Sequence, residues 1–255
     1  MNWKLKLDIW ESEDYNRNLE PVISAVAEKM DSLVGSPPVL GYKPLLIVND
    51  LYYGMKIYTP LNSDYYKLGL TVGHLTYGKV AYQFANLLSH LYTDPRQITW
   101  FSQTIAHMAS FWFLDYMDNL WKEKLPGDSY KGSEDIFTQL KNEKIKTAYE
   151  NIDIMLNLAS SEWIREEVEQ LSNNGEYAPP VVFDHVALEL LPLFQNEENS
   201  WQLLPWLGKA TSKPVREKTD LRIRPRAKPD FDLLREIVPS DLKVLVDRIT
   251  TRLYI

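Results

Sequence analysis

The 255-residue chain has no cysteine, which excludes disulfide frameworks, thiolate metal sites and cysteine nucleophiles. It also lacks a long hydrophobic run. The longest apolar stretch, residues 105–114, is interrupted by His107 and falls far short of the roughly 20 residues that cross a bilayer. Residues 1–14 alternate charged and apolar side chains, with nothing like the apolar h-region of a secretory signal. An excess of positive charge is missing too. The 28 Lys and Arg stand against 35 Asp and Glu, a net charge of −7, so a protein that coats nucleic acid is not expected. There is no internal repeat, low-complexity tract, P-loop, G-x-G-x-x-G or G-x-S-x-G. The expectation is a soluble, cytoplasmic protein with neither membrane nor nucleic acid as partner.

What is present is material for a large, ring-rich core: 45% apolar residues, with 8 Trp, 15 Tyr and 8 Phe. Apolar alternation predicts strands over residues 3–9, 52–58 and 66–72, and the run at 45–48 reads as a buried strand. Val22, Val26, Met30 and Leu33 predict a helix over 20–34, stopped by Gly35 and Pro37-Pro38. From Gly78 onward the period becomes helical. One helix runs to Tyr92 before Asp94-Pro95, a second covers 98–124, and a third helical region covers 141–171. Phe111, Trp112, Phe113 and Tyr116 circle the second helix, the pattern of a central buried helix. Further helices are expected at 184–194, 200–207 and 230–253. The order predicts a single α+β domain over 1–255, a small N-terminal mixed sheet followed by a predominantly helical body. Its parts are a strand-rich 1–75, a helical 76–208, and a 209–255 made of a basic strap and C-terminal helices. Residues 209–228 hold eight basic side chains against Glu217 and Asp220, which suggests a connector folded across an acidic body.

The segment Tyr82-Gln83-Phe84-Ala85-Asn86-Leu87-Leu88-Ser89-His90, followed by Trp100-Phe101-Ser102-Gln103-Thr104, resembles the core of zincin metallopeptidase domains of the gluzincin kind. The resemblance covers residues 40–125, with weaker similarity at 177–208. It implies a strand ahead of a helix bearing H-E-x-x-H, whose two imidazoles at i and i+4 share one zinc while the glutamate activates water. A second helix brings a glutamate as third ligand, in a Trp-Phe-x-Glu-Thr context. On this pattern Asn86 stands at the first histidine, Leu87 at the catalytic glutamate, His90 at the second histidine and Gln103 at the third ligand.

The departures remove the family's chemistry. Leu87 has no proton to move, and Asn86 and Gln103 are neutral amides, poor zinc ligands beside imidazole and carboxylate. No catalytic residue, metal or cofactor is therefore expected. Asn86, Leu87, His90 and Gln103 form a vestigial site, and the neighbouring polar residues Gln83, His107 and Ser110 suggest a pocket between the two helices. The leading expectation is a catalytically inactive zincin-like domain that binds a protein or peptide by strand addition. Two other readings stand beside it: a metal-dependent hydrolase with relocated ligands, and an acidic immunity-type partner masking a basic toxin. His74 and His185 are expected to be capping or surface histidines.

Overall fold

The first strand, β1 (Leu5–Asp8), leads into α1 (Glu13–Val34). The carboxamide of Asn16 accepts from the N–H groups of Ile9 and Trp10, both at 3.0 Å, and donates to the Trp10 carbonyl at 2.8 Å. This fold-back starts α1 ahead of the expected residue 20, and Pro21 lies within the helix. The computed structural model describes the chain apart from residues 1, 11, 59, 62, 74–75, 134, 154–161, 175–177 and 212–227. The expected course of the basic strap and the position of His74 therefore lie outside the described residues.

β1, β2 (Leu45–Asn49), β3 (Lys56–Ile57) and β4 (Tyr66–Leu70) make one sheet in the order β1-β2-β4-β3. The β1–β2 and β2–β4 pairs are parallel, whereas β3, last in the sheet order, runs antiparallel to β4. The mixed sheet matches the sequence expectation, except at the 52–58 strand. Residues 51–53 are a turn, and β3 is only two residues long. The cause is Asp50, whose Oδ1 accepts from the N–H groups of Tyr52 (3.2 Å) and Tyr53 (2.9 Å) and so takes them out of any ladder. Gly54, at φ 78°, completes the reversal.

The helical body follows: α2 (Tyr77–Thr93), α3 (Trp100–Glu123), α4 (Ile136–Asp153), α5 (Glu162–Asn174), α6 (Pro180–Gln195), α7 (Leu204–Leu207), α8 (Phe231–Ile237) and α9 (Ser240–Leu253). The protein is α+β. Within the region expected to be helical over 141–171 lie the C-terminal part of α4 and most of α5, on either side of residues 154–161, which lie outside the described residues. α2 and α3 pack against each other at the centre, and α3 is further covered by α6 and α4. As its ring pattern predicts, Phe111, Phe113, Leu114 and Met117 of α3 are fully buried. Burying a side chain of this size stabilises by about 1.5–3 kcal/mol. A capping box fixes the start of α3: Ser102 N–H donates to Thr99 Oγ1 (3.0 Å), and Thr99 N–H to Ser102 Oγ (2.9 Å). That cap places Gln103 in the first turn. Beyond α7, Thr211 and Pro229 form an antiparallel bridge, and Asp230 N–H donates to the Ala210 carbonyl at 3.0 Å. Among the described residues no helix is long and apolar enough to cross a membrane.

Candidate functional site

β3, the C-terminal half of α2, the α2–α3 connection and the first turn of α3 meet around one cavity of about 140 Å³. Met55, Lys56 and Ile57 form one wall, Asn86, Leu87 and His90 another, and Pro95, Ile98 and Gln103 close it. All four residues of the expected vestigial site thus line a single cleft. Asn86 and His90 do so from successive turns of α2, and Gln103 from the facing helix. Asn86 is 1% exposed, and its Nδ2 has no hydrogen-bond partner among the described residues. His90 and Leu87 are buried as well. The α2–α3 connection is held by Asp94, at φ 79°, whose carboxylate takes Arg96 Nε at 2.9 Å and Nη2 at 2.7 Å. This clasp presents Pro95 and Ile98 to the cavity.

The expected pocket residues Gln83, His107 and Ser110 are placed elsewhere. Gln83 ties α2 to the end of β4: its Oε1 accepts from Thr71 N–H at 2.7 Å, and its Nε2 donates to the Thr71 carbonyl at 3.3 Å. Ser110 donates to the Tyr82 carbonyl at 2.8 Å, a strut between α2 and α3. His107 lies behind Gln103. Its Nε2 is 3.3 Å from Gln103 Nε2, its Nδ1 is 2.6 Å from Asp184 Oδ1 on α6, and its ring stacks on Phe183. Tyr82 donates to the same Asp184 oxygen at 3.3 Å. Burial, reinforced by the Asp184 charge, pushes the Tyr82 phenol well above its ordinary value and keeps it a donor.

The expectation for His185 needs correction. It is buried on α6, its Nδ1 paired with Glu167 of α5 and its Nε2 2.8 Å from the Ala148 carbonyl of α4. A helix-facing position and a carboxylate eighteen residues earlier leave it no surface role.

The sequence reading missed an exposed aromatic turn next to the Lys56 wall of the cleft. The turn ahead of β3 carries Leu51, Tyr52 and Tyr53 at 64%, 94% and 79% exposure. Its base is rigid. Asp50 also accepts from the Tyr58 hydroxyl and pairs with Lys56 Nζ at 3.1 Å. Lys56 Nζ lies over the rings of Tyr53 (4.0 Å) and Tyr58 (4.3 Å). The Tyr58 hydrogen bond and the Tyr53 N–H hold the Asp50 carboxyl down at about 2, and burial together with Asp50 pushes the Tyr58 phenol up to about 12. An Asp followed four residues later by Gly was the available turn signal.

The zinc that the resemblance implies does not fit this donor set. One imidazole, His90, stands with two neutral amides, and the nitrogen of one of them is turned to His107. Among the described residues no three His, Cys, Asp or Glu gather where they could hold a metal ion. Leu87, at the base position, can neither accept nor donate a proton. No family model matches this chain, and neither a curated protein nor a solved structure matches it.

Proposed function

We propose that the chain is a catalytically inactive, zincin-like domain that binds an extended polypeptide along β3. The observation that carries this reading is the cleft itself, in which an antiparallel edge strand overhangs a cavity lined by Asn86, Leu87, His90 and Gln103. Tyr58 N–H donates inward to the Lys67 carbonyl at 2.9 Å, and antiparallel pairs alternate, so the N–H and C=O of Ile57 face away from β4. A chain laid there gains ladder bonds from Ile57 and can drop a side chain into the cavity beneath. The size supports this choice of ligand: about 140 Å³ is well below the roughly 300–1,000 Å³ of sites that enclose a free small molecule. The exposed Tyr52 and Tyr53 supply the rigid aromatic contact area on which interfaces rely.

The test is a fluorescent octapeptide array, with all twenty residues sampled at the four central positions, bound by the full chain. NMR of the complex then reports the site. Binding that shifts Ile57, Asn86 and Gln103, and that is lost in the Tyr52→Ala/Tyr53→Ala double variant at an unchanged thermal midpoint, is the expected result. Absence of any octapeptide binding, or binding that leaves those signals unmoved, refutes the reading. The same preparation is expected to leave casein uncleaved, and elemental analysis finding one tightly held zinc per chain would overturn the inactive assignment.

A further inference from the structure

The polar lining of the cavity comes from Lys56, Asn86, His90 and Gln103. Asn86 Nδ2 is a buried donor without a partner among the described residues. Gln103 is oriented from behind. The Asp184 carboxylate only accepts, so His107 donates to it from Nδ1, and His107 Nε2 stands 3.3 Å from Gln103 Nε2. With its nitrogen committed there, Gln103 has Oε1 left to offer. The Lys56 ammonium of the same lining is engaged by Asp50 at 3.1 Å and by two tyrosine rings. Asn86 and Gln103 thus stand beside the His90 imidazole in a cavity whose remaining walls, from Met55, Leu87 and Ile98, are apolar.

We infer that this cavity is a carboxamide subsite. It takes an Asn or Gln side chain of the bound polypeptide, whose amide oxygen accepts from Asn86 Nδ2 and whose amide N–H donates to Gln103 Oε1. The assignment rests on the peptide-binding reading above and gives it a specificity. A carboxylate would set a second acceptor against Gln103 Oε1, an ammonium would leave Asn86 Nδ2 unmet, and an apolar side chain would leave both groups unpaired. His107 and Asp184 act here as positioning residues.

Two probe sets separate the subsite from the reading beneath it. In the first, propionamide and propionate are titrated into the 15N-labelled full chain while the side-chain amide signals of Asn86 and Gln103 are followed. Propionamide is expected to shift both saturably, with propionate at least about five-fold weaker. Asn86→Asp, which replaces the donor with an acceptor at constant size, and Gln103→Met, which removes the acceptor at similar length, should each weaken propionamide by about five-fold or more. The second variant keeps the test decisive if the first does not fold. In the second set, array octapeptides with Asn or Gln at one central position should bind at least about five-fold tighter than their Asp, Glu and Met counterparts. Equal response to propionamide and propionate, or equal binding of Gln and Glu peptides, overturns the subsite while leaving peptide binding intact. Selective propionamide binding with no peptide bound overturns the polypeptide assignment instead.

Discussion

Replacing Gly208 by Ala sets two effects of opposite sign against each other. Gly208 has φ −69° and ψ −20°, a right-handed conformation that alanine adopts freely. At such a position the loss of chain freedom in the unfolded state stabilises an alanine variant by about 0.4–1 kcal/mol. The contacts oppose this. A Cβ on residue 208 would stand 2.2 Å from the Thr93 carbonyl oxygen and 2.7 Å from Asp94 Cβ, where C···O contacts ordinarily begin near 3.3 Å. Neither neighbour is a flexible tip. Thr93 ends α2, and Asp94 is clasped by Arg96. The end of α7 must therefore retreat by about 1 Å, an overpacking that costs about 1–3 kcal/mol or more. The steric effect wins, for a net loss of up to about 2.6 kcal/mol, which at about 2–4 °C per kcal/mol lowers the thermal midpoint by up to roughly 10 °C. Pro95 and Ile98 follow Asp94 into the cavity wall, so NMR signals over 93–98 should move as well. Thermal and urea unfolding of G208A give the answer. A variant as stable as the parent, with those signals unshifted, would refute the close packing of α7 on the end of α2.

Three further outcomes follow from the site. Acid should loosen the aromatic turn. The folded Asp50 carboxyl, at about 2, lies below its ordinary value of 3.8, so its contribution is complete above pH 4 and is lost as pH falls through 2. Amide exchange at Tyr52 and Tyr53 should accelerate over that window, and exchange that is flat down to pH 2 contradicts it. Asp184→Ala leaves the buried His107 Nδ1–H without its acceptor and should cost about 1–3 kcal/mol in urea unfolding, with a shift of the Gln103 side-chain amide; an unmoved Gln103 signal would show that His107 does not orient it. Leu87→Glu loses about 1.5–3 kcal/mol of burial, and its new carboxyl, raised by desolvation, penalises the fold further as pH climbs above about 4.3. Its deficit relative to the parent should therefore be smallest at low pH, and a deficit independent of pH would mean that the carboxylate is solvated in the cleft.

The parallel strands and the two central helices are legible in the sequence because burial wrote their patterns directly. Leu45 to Val48 is an unbroken apolar run, and Val80, Phe84, Leu87 and Leu91 repeat at helical spacing. The grouping of Asn86, Leu87 and His90 with Gln103 is legible for a related reason: i,i+4 spacing fixes one wall, and the Thr99–Ser102 cap fixes the phase of the other. The turn ahead of β3 is not legible by alternation, since Tyr52 to Tyr58 mimics a strand until the Asp50 side chain captures two backbone donors. The start of α1 is hidden by Pro21, which reads as a first-turn proline and instead sits in the interior. Asp184 and Glu167 escape for a different cause. Each pairs with a histidine through tertiary packing, Asp184 with His107 across 77 residues, and no local spacing records such a partner.

The brevity of β3 has a kinetic consequence. Of the two residues of β3, Ile57 turns its backbone groups outward, so a strand docked there would gain about two ladder bonds, together worth about 1–3 kcal/mol. A micromolar complex needs about 8 kcal/mol, and the remainder has to come from one side chain in a small cavity and two exposed tyrosines. For a dissociation constant on the order of 100 μM and association at about 10⁵–10⁷ M⁻¹ s⁻¹, a bound segment stays for roughly 1–100 ms. On the proposed reading, an edge built this way would sample successive segments and release them, with a dwell time tuned by the cavity side chain more than by the strand.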